Sequence, residues 1–297
     1  MEINKSVCPP FFGVATAMAT PFCGGKLDIP RFSAALSRQV KAGVDALCVC
    51  GTTGEAATLS PKERTLLIET AKEHAGRLPV IAGVGAADTK TAVKLTGDAV
   101  RSGADLLLVI TPFCNKGTAR GIFEHYRRIA DAAGGCPIIL YNVPTRTGVD
   151  LSVAQYNRLA AIDGVVAVKE AAERISKISA LCAETPLFVY SGNDEMTLPV
   201  ISVGGCGVIS VLSNLVPADV SALAKAAAAG ELESARALHA KYAPLVRLLF
   251  AETNPAPLKY ALSRLGLDSG QMRLPLAPIE EPLMRQIASE LTALELL

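Results

Sequence analysis

Residues 101–109 read RSGADLLLV, and residues 41–49 repeat the same pattern as KAGVDALCV. In each copy a helical segment ends at a glycine, and a strand that is apolar at every position follows. A strand without polar alternation is covered on both of its faces, as the strands of parallel sheets are. The two copies therefore predict helix–strand units of an α/β protein.

Apolar runs of this kind recur along the chain, and segments with helical spacing lie between them. The eight runs span residues 14–17, 46–50, 80–82, 106–110, 138–141, 165–168, 187–190 and 208–212. Eight strand–helix units favour a closed (β/α)8 TIM barrel over the alternative, an open doubly wound sheet. The strand signal stops after Pro217. We therefore predict a barrel domain over residues 1–230 and a C-terminal helical subdomain over residues 231–297.

The composition fits such a core and excludes several classes of protein. Half of the 297 residues (50%) are hydrophobic, and the net charge is +1, so neither disorder nor a basic nucleic-acid-binding face is indicated. No run approaches the roughly 18 apolar residues of a membrane span. The eight cysteines form no CxxC pair, and residues 1–6 contain no apolar stretch resembling a signal sequence. We expect a cytoplasmic protein that binds neither nucleic acid nor membrane.

The functional groups of a barrel project from the C-terminal ends of its strands. Lys169 and Tyr141 stand at the ends of two consecutive strands. An amine attacks a carbonyl only when it is neutral, so a catalytic lysine needs surroundings that lower its pKa. Neighbouring strands lie about 4.8 Å apart, so the Tyr141 hydroxyl and the Lys169 amine could meet and exchange protons. The alternatives are a Lys169 that points to solvent or pairs with Glu170, and a Tyr141 that merely caps the core.

Two further features at the strand ends suit carboxylates. Residues 51–54 read GTTG, where glycines allow close approach of the backbone and the N–H groups and hydroxyls of Thr52 and Thr53 can hold an anion. Arg146 offers a planar fork for a second carboxylate. The alternatives are an ordinary strand–helix turn and a solvated loop charge.

Cofactor and metal signals are missing from the strand ends. Residues 83–85 read GVG but lack the third glycine of a dinucleotide fingerprint, and no GxxxxGK[ST] phosphate loop occurs. The three histidines, His74, His125 and His239, lie in helical segments, so a histidine-ligated metal is not expected. Metal-free carbonyl chemistry through a lysine remains.

Four motifs carry a resemblance to a known family. Residues 51–55 (GTTGE), 141–148 (YNVPTRTG), 168–171 (VKEA) and 191–194 (SGND) resemble the dihydrodipicolinate synthase family of pyruvate-dependent Schiff-base lyases, and the similarity covers nearly the whole chain. The resemblance implies an enzyme without cofactor that condenses pyruvate with L-aspartate 4-semialdehyde to 4-hydroxy-tetrahydrodipicolinate. This is the first committed step toward diaminopimelate and lysine. The resemblance also implies a homotetramer or a homodimer.

The resemblance further implies roles for individual residues. Lys169 would form the Schiff base with pyruvate, Tyr141 would donate and accept protons, and Thr52 would belong to the proton relay. Thr53 would bind the pyruvate carboxylate, the backbone of Ile209 would border the same site, and Arg146 would hold the carboxylate of the semialdehyde. Gly192 is implied as a further substrate-binding residue.

One position departs from the family pattern. Members usually read Thr-Pro-Tyr-Tyr-Asn after the fourth strand, and their second tyrosine reaches into a neighbouring subunit to complete the relay; here residues 111–115 read TPFCN. The thiol of Cys114 (reference pKa ≈ 8.5) can carry protons but is shorter than a tyrosine. Two alternatives therefore stay open. One is a related pyruvate aldolase for another aldehyde, of the 4-hydroxy-2-oxoglutarate or keto-deoxy-sugar acid type, and the other is a barrel that binds a keto acid without turnover.

Feedback by lysine is not expected. Ala87, Thr91 and Phe113 stand where some members of the family have the polar residues of a lysine site. We therefore predict that lysine does not inhibit this protein.

Overall fold

A computed structural model describes residues 8–297 of the protein. Residues 1–6, on which the expectation about a signal sequence rests, lie outside this range. Eight parallel strands close into a barrel, in which the first strand pairs with both the second and the last strand of the barrel. The barrel strands are β1 (Gly13–Ala17), β4 (Ala46–Val49), β5 (Val80–Gly83), β6 (Leu106–Ile110), β7 (Ile138–Asn142), β8 (Val165–Glu170), β9 (Phe188–Ser191) and β10 (Gly207–Ser210). The predicted TIM barrel is confirmed, and the open sheet is wrong.

Helices cover the barrel and continue beyond it. The helices that follow the strands are α1 (Ile29–Ala42), α2 (Pro61–Ala75), α3 (Thr89–Arg101), α4 (Ala119–Ala133), α5 (Pro144–Thr147), α6 (Val153–Leu159), α7 (Ile175–Glu184), α8 (Thr197–Ser202) and α9 (Pro217–Ala229). Three more form the C-terminal extension: α10 (Leu232–Leu249), α11 (Ala256–Arg264) and α12 (Glu281–Ala293). A small hairpin of β2 (Phe22–Cys23) and β3 (Lys26–Leu27) follows β1. None of the helices within residues 8–297 combines the length and the apolar composition that a membrane span requires.

Each barrel strand is buried on both faces, as its unbroken apolar sequence predicts. On β4, Ala46 and Cys48 point into the lumen, whereas Leu47 and Val49 pack against the surrounding helices. The outer apolar layer extends without a break into the C-terminal helices, for example to Ile287 of α12. The division into two domains at residue 230 stays a prediction.

The pairing of β7 with β8 determines which side chains point into the lumen. Tyr141 is the register partner of Lys169, after a register shift between Ile138 and Ile139. Because side chains alternate along a strand, Lys169 shares the lumen face with Ala167, whereas Glu170 faces the helices. Lys169 is only 6% exposed, so the alternative in which it extends into solvent is wrong.

Candidate active site

A cavity of about 130 Å³ opens at the C-terminal ends of the barrel strands. Six of the eight predicted site residues line it: Thr52, Thr53, Tyr141, Arg146, Lys169 and Gly192. They come from β7 and β8, from the segments that directly follow β4 and β9, and from the short helix α5 after β7. The barrel thus brings together residues that are far apart in the sequence, as the strand-end argument predicts.

The Lys169 amine lies over the face of the Tyr141 ring, with Nζ 4.4 Å from the ring centroid. We expected the amine to meet the hydroxyl of this tyrosine; the structure shows a cation–π contact instead, because neighbouring strands set the two side chains side by side. Burial raises the pKa of the Cys48 thiol to about 11, and the Lys169 charge opposes this shift. The amine thus faces an aromatic ring and a neutral thiol at the floor of the cavity.

Glu170 lies next to Lys169 in the sequence but on the opposite face of the sheet. Its buried carboxylate accepts hydrogen bonds from Asn142 Nδ2 and Tyr156 Oη, each at 2.8 Å, and pairs with Lys177 Nζ at 2.9 Å. Burial, reinforced by the Glu170 charge, raises the pKa of the Tyr156 hydroxyl well above its ordinary value, so this hydroxyl stays a donor. The predicted alternative, a Lys169–Glu170 pair, is therefore wrong, and the amine is left for a ligand.

Asp194 is a second buried carboxyl close to the amine. Burial raises its pKa, whereas hydrogen bonds from Ser210 Oγ and from the backbone N–H groups of Val211 and Leu212 lower it, as does the Lys169 charge. These bonds join the end of β9 to the end of β10. The carboxylate of Asp194 thereby fixes one wall of the cavity.

The loop after β4 presents unused hydrogen-bond donors. Gly54 N–H donates to Gly51 O and Glu55 N–H to Thr52 O, whereas the N–H groups of Thr52 and Thr53 find no acceptor within residues 8–297. Thr53 is only 4% exposed. Two free N–H groups beside two hydroxyls form a site for an anion, such as a carboxylate.

Asn254 connects both predicted carboxylate binders to the C-terminal part of the chain. Its Nδ2 donates to Thr53 Oγ1 at 3.0 Å, which leaves the Thr53 hydroxyl proton free to be donated into the cavity. Its backbone oxygen accepts a hydrogen bond from Arg146 at 3.1 Å. The sequence suggested no role for Asn254; its Asn-Pro dipeptide indicates only a turn.

A buried ion pair holds the other end of the same loop. Lys259 of α11 is 0% exposed, and its Nζ lies 2.8 Å from Glu55 Oε1 and 2.8 Å from the carbonyl oxygen of Thr20. The second carboxylate oxygen of Glu55 accepts the N–H of Arg273 at 3.0 Å. Glu55 itself is in the left-handed region, with φ 54°. The C-terminal extension therefore fixes the conformation of the anion-binding loop.

Two predicted site residues do not line the cavity. Ile209 is fully buried on the lumen face of β10 beside Ala15, and Val211, two positions further along the chain, lines the cavity in its place. Cys114 lies in the loop after β6, where it is exposed and adopts a φ of 68°. Within a single chain Cys114 thus lies outside the lining of this cavity.

A second, larger cavity of about 680 Å³ adjoins the first, and Thr52, Tyr141, Arg146 and Asn254 line both. The residues expected at a lysine site, namely Ala87, Thr91 and Phe113, all line the larger cavity. Insensitivity to lysine stays a prediction. Within residues 8–297, no group of three or more His, Cys, Asp or Glu side chains could hold a metal ion.

Known proteins resemble this chain over nearly its whole length. A model of the dihydrodipicolinate synthetase family matches residues 10–294. The 4-hydroxy-tetrahydrodipicolinate synthase of Bacillus subtilis is 43% identical over 289 residues, which cover 96% of this chain and 99% of that protein. The crystal structure of the chloride-inhibited dihydrodipicolinate synthase from Acinetobacter baumannii complexed with pyruvate is 38% identical, with a TM-score of 0.93 over 96% of this chain and 99% of that one. The crystal structure of DHDPS from Cyanidioschyzon merolae with lysine bound is 35% identical, with a TM-score of 0.94 over 98% of this chain and 100% of that one.

Proposed function

The chain belongs to the dihydrodipicolinate synthetase family, and we propose that it condenses pyruvate with L-aspartate 4-semialdehyde to form 4-hydroxy-tetrahydrodipicolinate. One observation carries the proposal most directly. The buried Lys169 amine faces a cavity whose wall includes Thr52 and Thr53, and the backbone N–H groups of these two residues are unpaired. A keto acid needs both a nucleophile for its carbonyl and donors for its carboxylate.

The first half of the reaction takes place on Lys169. Its Nζ attacks the C2 carbonyl of pyruvate, and the carbonyl oxygen leaves as water to give a Schiff base. The pyruvate carboxylate rests on the N–H groups of Thr52 and Thr53 and on the Thr53 hydroxyl. The charged Schiff base then favours loss of a methyl proton, which gives an enamine. Tyr141, whose ring lies 4.4 Å from the amine, donates and accepts these protons, and Thr52 relays them.

The second half joins the two substrates and frees the enzyme. The enamine carbon bonds to the aldehyde carbon of the semialdehyde, and the aldehyde oxygen takes up a proton to become a hydroxyl. The amine of the semialdehyde, having lost its extra proton, attacks the imine carbon, closes the ring and releases Lys169. Arg146 holds the semialdehyde carboxylate through its planar fork, and Gly192 borders the pyruvate.

We also propose that the chain works as a homotetramer or a homodimer. Cys114 is exposed in a single chain, and the resemblance to the family implies that this position serves the site of a neighbouring subunit. Leu274 is 83% exposed, and such a large apolar side chain is suited to burial against a second copy of the chain. Its neighbours Pro275 and Leu276 line the larger cavity. Light scattering on the purified protein measures its oligomeric state. Because Cys48 and Cys50 are buried in an apolar strand end and form no disulfide, we further propose a reducing, cytoplasmic compartment.

The proposal is tested by trapping and by product formation. Borohydride reduction in the presence of pyruvate should add a reduced pyruvate adduct to the Lys169 peptide, and Lys169→Ala should take up none. Aspartate semialdehyde should then be consumed in a coupled assay, faster than other aldehydes. Trapping without consumption of any aldehyde would point to a keto-acid-binding barrel, and preference for another aldehyde would point to a related aldolase.

A further inference from the structure

Glu173 is a carboxylate in the wall of the candidate active site that the mechanism above does not use. It follows β8 and lines the cavity together with Lys169 and Arg146. Among the described residues that line this cavity, Glu173 is the sole acidic one. The other two charged residues that line this cavity, Lys169 and Arg146, are both cations.

The Glu173 carboxylate is oriented by neutral groups. Asn193 Nδ2 donates to Glu173 Oε1 at 2.6 Å. Asn193 is in turn held by Ser191, whose Oγ accepts the Asn193 N–H at 3.1 Å and donates to the Asn193 carbonyl oxygen at 2.7 Å. Glu173 also adopts φ 57°, a left-handed conformation that is uncommon for residues other than glycine, asparagine and aspartate. These contacts keep the side chain at the cavity wall.

Among the residues that the structure describes, no cation pairs with this carboxylate. None of the ion pairs within residues 8–297 includes Glu173. Its Oε1 accepts a hydrogen bond from the Asn193 amide, and its Oε2 is free to accept another. A carboxylate with one open oxygen at the edge of a small cavity is suited to a ligand that carries a positive charge.

The second substrate of the proposed reaction has such a charge. Aspartate semialdehyde carries an ammonium group and a carboxylate on the same carbon atom. Arg146 provides the cation for its carboxylate, and a complementary anion is then needed for its ammonium group. We propose that Glu173 binds this ammonium group and thereby selects an amino-acid aldehyde over an aldehyde acid that lacks nitrogen. The inference rests on the proposed function and extends it to substrate recognition.

The test compares two aldehydes that differ only in the ammonium group. Succinic semialdehyde has the chain and carboxylate of aspartate semialdehyde without its nitrogen. In Glu173→Gln, the KM for aspartate semialdehyde should rise about fivefold, as expected for losing one charged contact at an exposed position. The KM for pyruvate should stay unchanged. The inhibition constant of succinic semialdehyde should stay the same or fall, because Glu173 repels an anion that has no ammonium group.

Glu184→Gln is the matched control, since Glu184 is an exposed glutamate of α7 that does not line the cavity. This variant should keep all three constants. An unchanged KM for aspartate semialdehyde in Glu173→Gln would overturn the inference. An equal rise in the KM for aspartate semialdehyde and in the inhibition constant of succinic semialdehyde would also overturn the inference, since it would indicate a distorted site. Failure of the proposed function itself would look different, because the parent enzyme would then not consume aspartate semialdehyde.

Discussion

Replacing Lys259 with methionine tests whether the C-terminal extension holds the anion-binding loop. Methionine has a similar length but no charge, so Glu55 would keep a buried carboxylate without its cation, and the Thr20 carbonyl would lose its donor. Removing one partner of a buried ion pair costs roughly 3–5 kcal/mol. Because the Arg273 N–H still donates to the second oxygen of Glu55, we expect a loss of about 3 kcal/mol in the free energy of unfolding, the lower end of that range.

Urea unfolding of Lys259→Met, Glu55→Gln and the double variant measures this loss and its origin. If the two side chains stabilise each other, the double variant should be less destabilised than the sum of the single variants, by at least about 1 kcal/mol. Lys241→Met is the control. Lys241 pairs with Asp219 at the surface, at 3.4 Å, and its replacement should leave the free energy of unfolding unchanged.

The same variant has a functional readout. If Lys259 holds the loop, the KM for pyruvate should rise in Lys259→Met, because the N–H groups of Thr52 and Thr53 are no longer fixed, whereas kcat should change less. A stable Lys259→Met protein with the parent's KM for pyruvate would show that other contacts hold the loop. The same would follow if the losses in unfolding free energy of the two single variants simply added up in the double variant.

Four further predictions follow from the site and its supports. Asn254→Ala should raise the KM for pyruvate about fivefold, the effect of one lost hydrogen bond. The KM for the semialdehyde should stay unchanged, because the backbone oxygen of the residue at position 254 still holds Arg146. Steady-state kinetics with both substrates measure the two KM values. Cys114→Tyr should raise turnover if the missing tyrosine impairs the relay, and an unchanged rate would indicate a relay rebuilt from other groups. Lysine should not inhibit in the coupled assay, and saturable inhibition would contradict this. The hydrogen bond from Arg273 holds the pKa of Glu63 at about 2, against an ordinary 4.5. A lowered carboxyl pKa stabilises the fold above pH 4.5, and this stabilisation is lost as the pH falls to 2. The Tm of Glu63→Gln should therefore fall less steeply than the Tm of the parent protein between pH 4.5 and pH 2.

The residues that could be predicted from the sequence are those determined by local order. Lys169 and Tyr141 each end an apolar run, and strand ends of a barrel meet at one edge, so their proximity follows from the strand assignment alone. The alternation of side chains likewise separates Lys169 from Glu170. The barrel and its strands therefore required no information beyond apolar periodicity and glycine positions.

The missed residues depend on contacts that no local pattern contains. Asn254 bonds to Thr53 across 201 positions of sequence, and the proximity of Lys259 to Glu55 depends on how α11 packs against the barrel. Glu173 lines the cavity from a left-handed backbone conformation that its sequence does not indicate. Cys114 faces solvent in a single chain, so its part in the chemistry depends on what a second subunit places against it.

The opposite orientation of Lys169 and Glu170 makes the chemistry sensitive to strand register. Sliding β8 by one residue would exchange their faces, since a one-residue slip sends every side chain of a strand to the other side of the sheet. The amine would then lie among the helices beside Lys177, and the carboxylate would occupy the lumen. A misregistered barrel would thus be compact yet unreactive. The fraction of protein that borohydride can label with pyruvate therefore measures the fraction of molecules in which β8 has the correct register. The Lys169 adduct thus reports quantitatively on correct folding of the barrel.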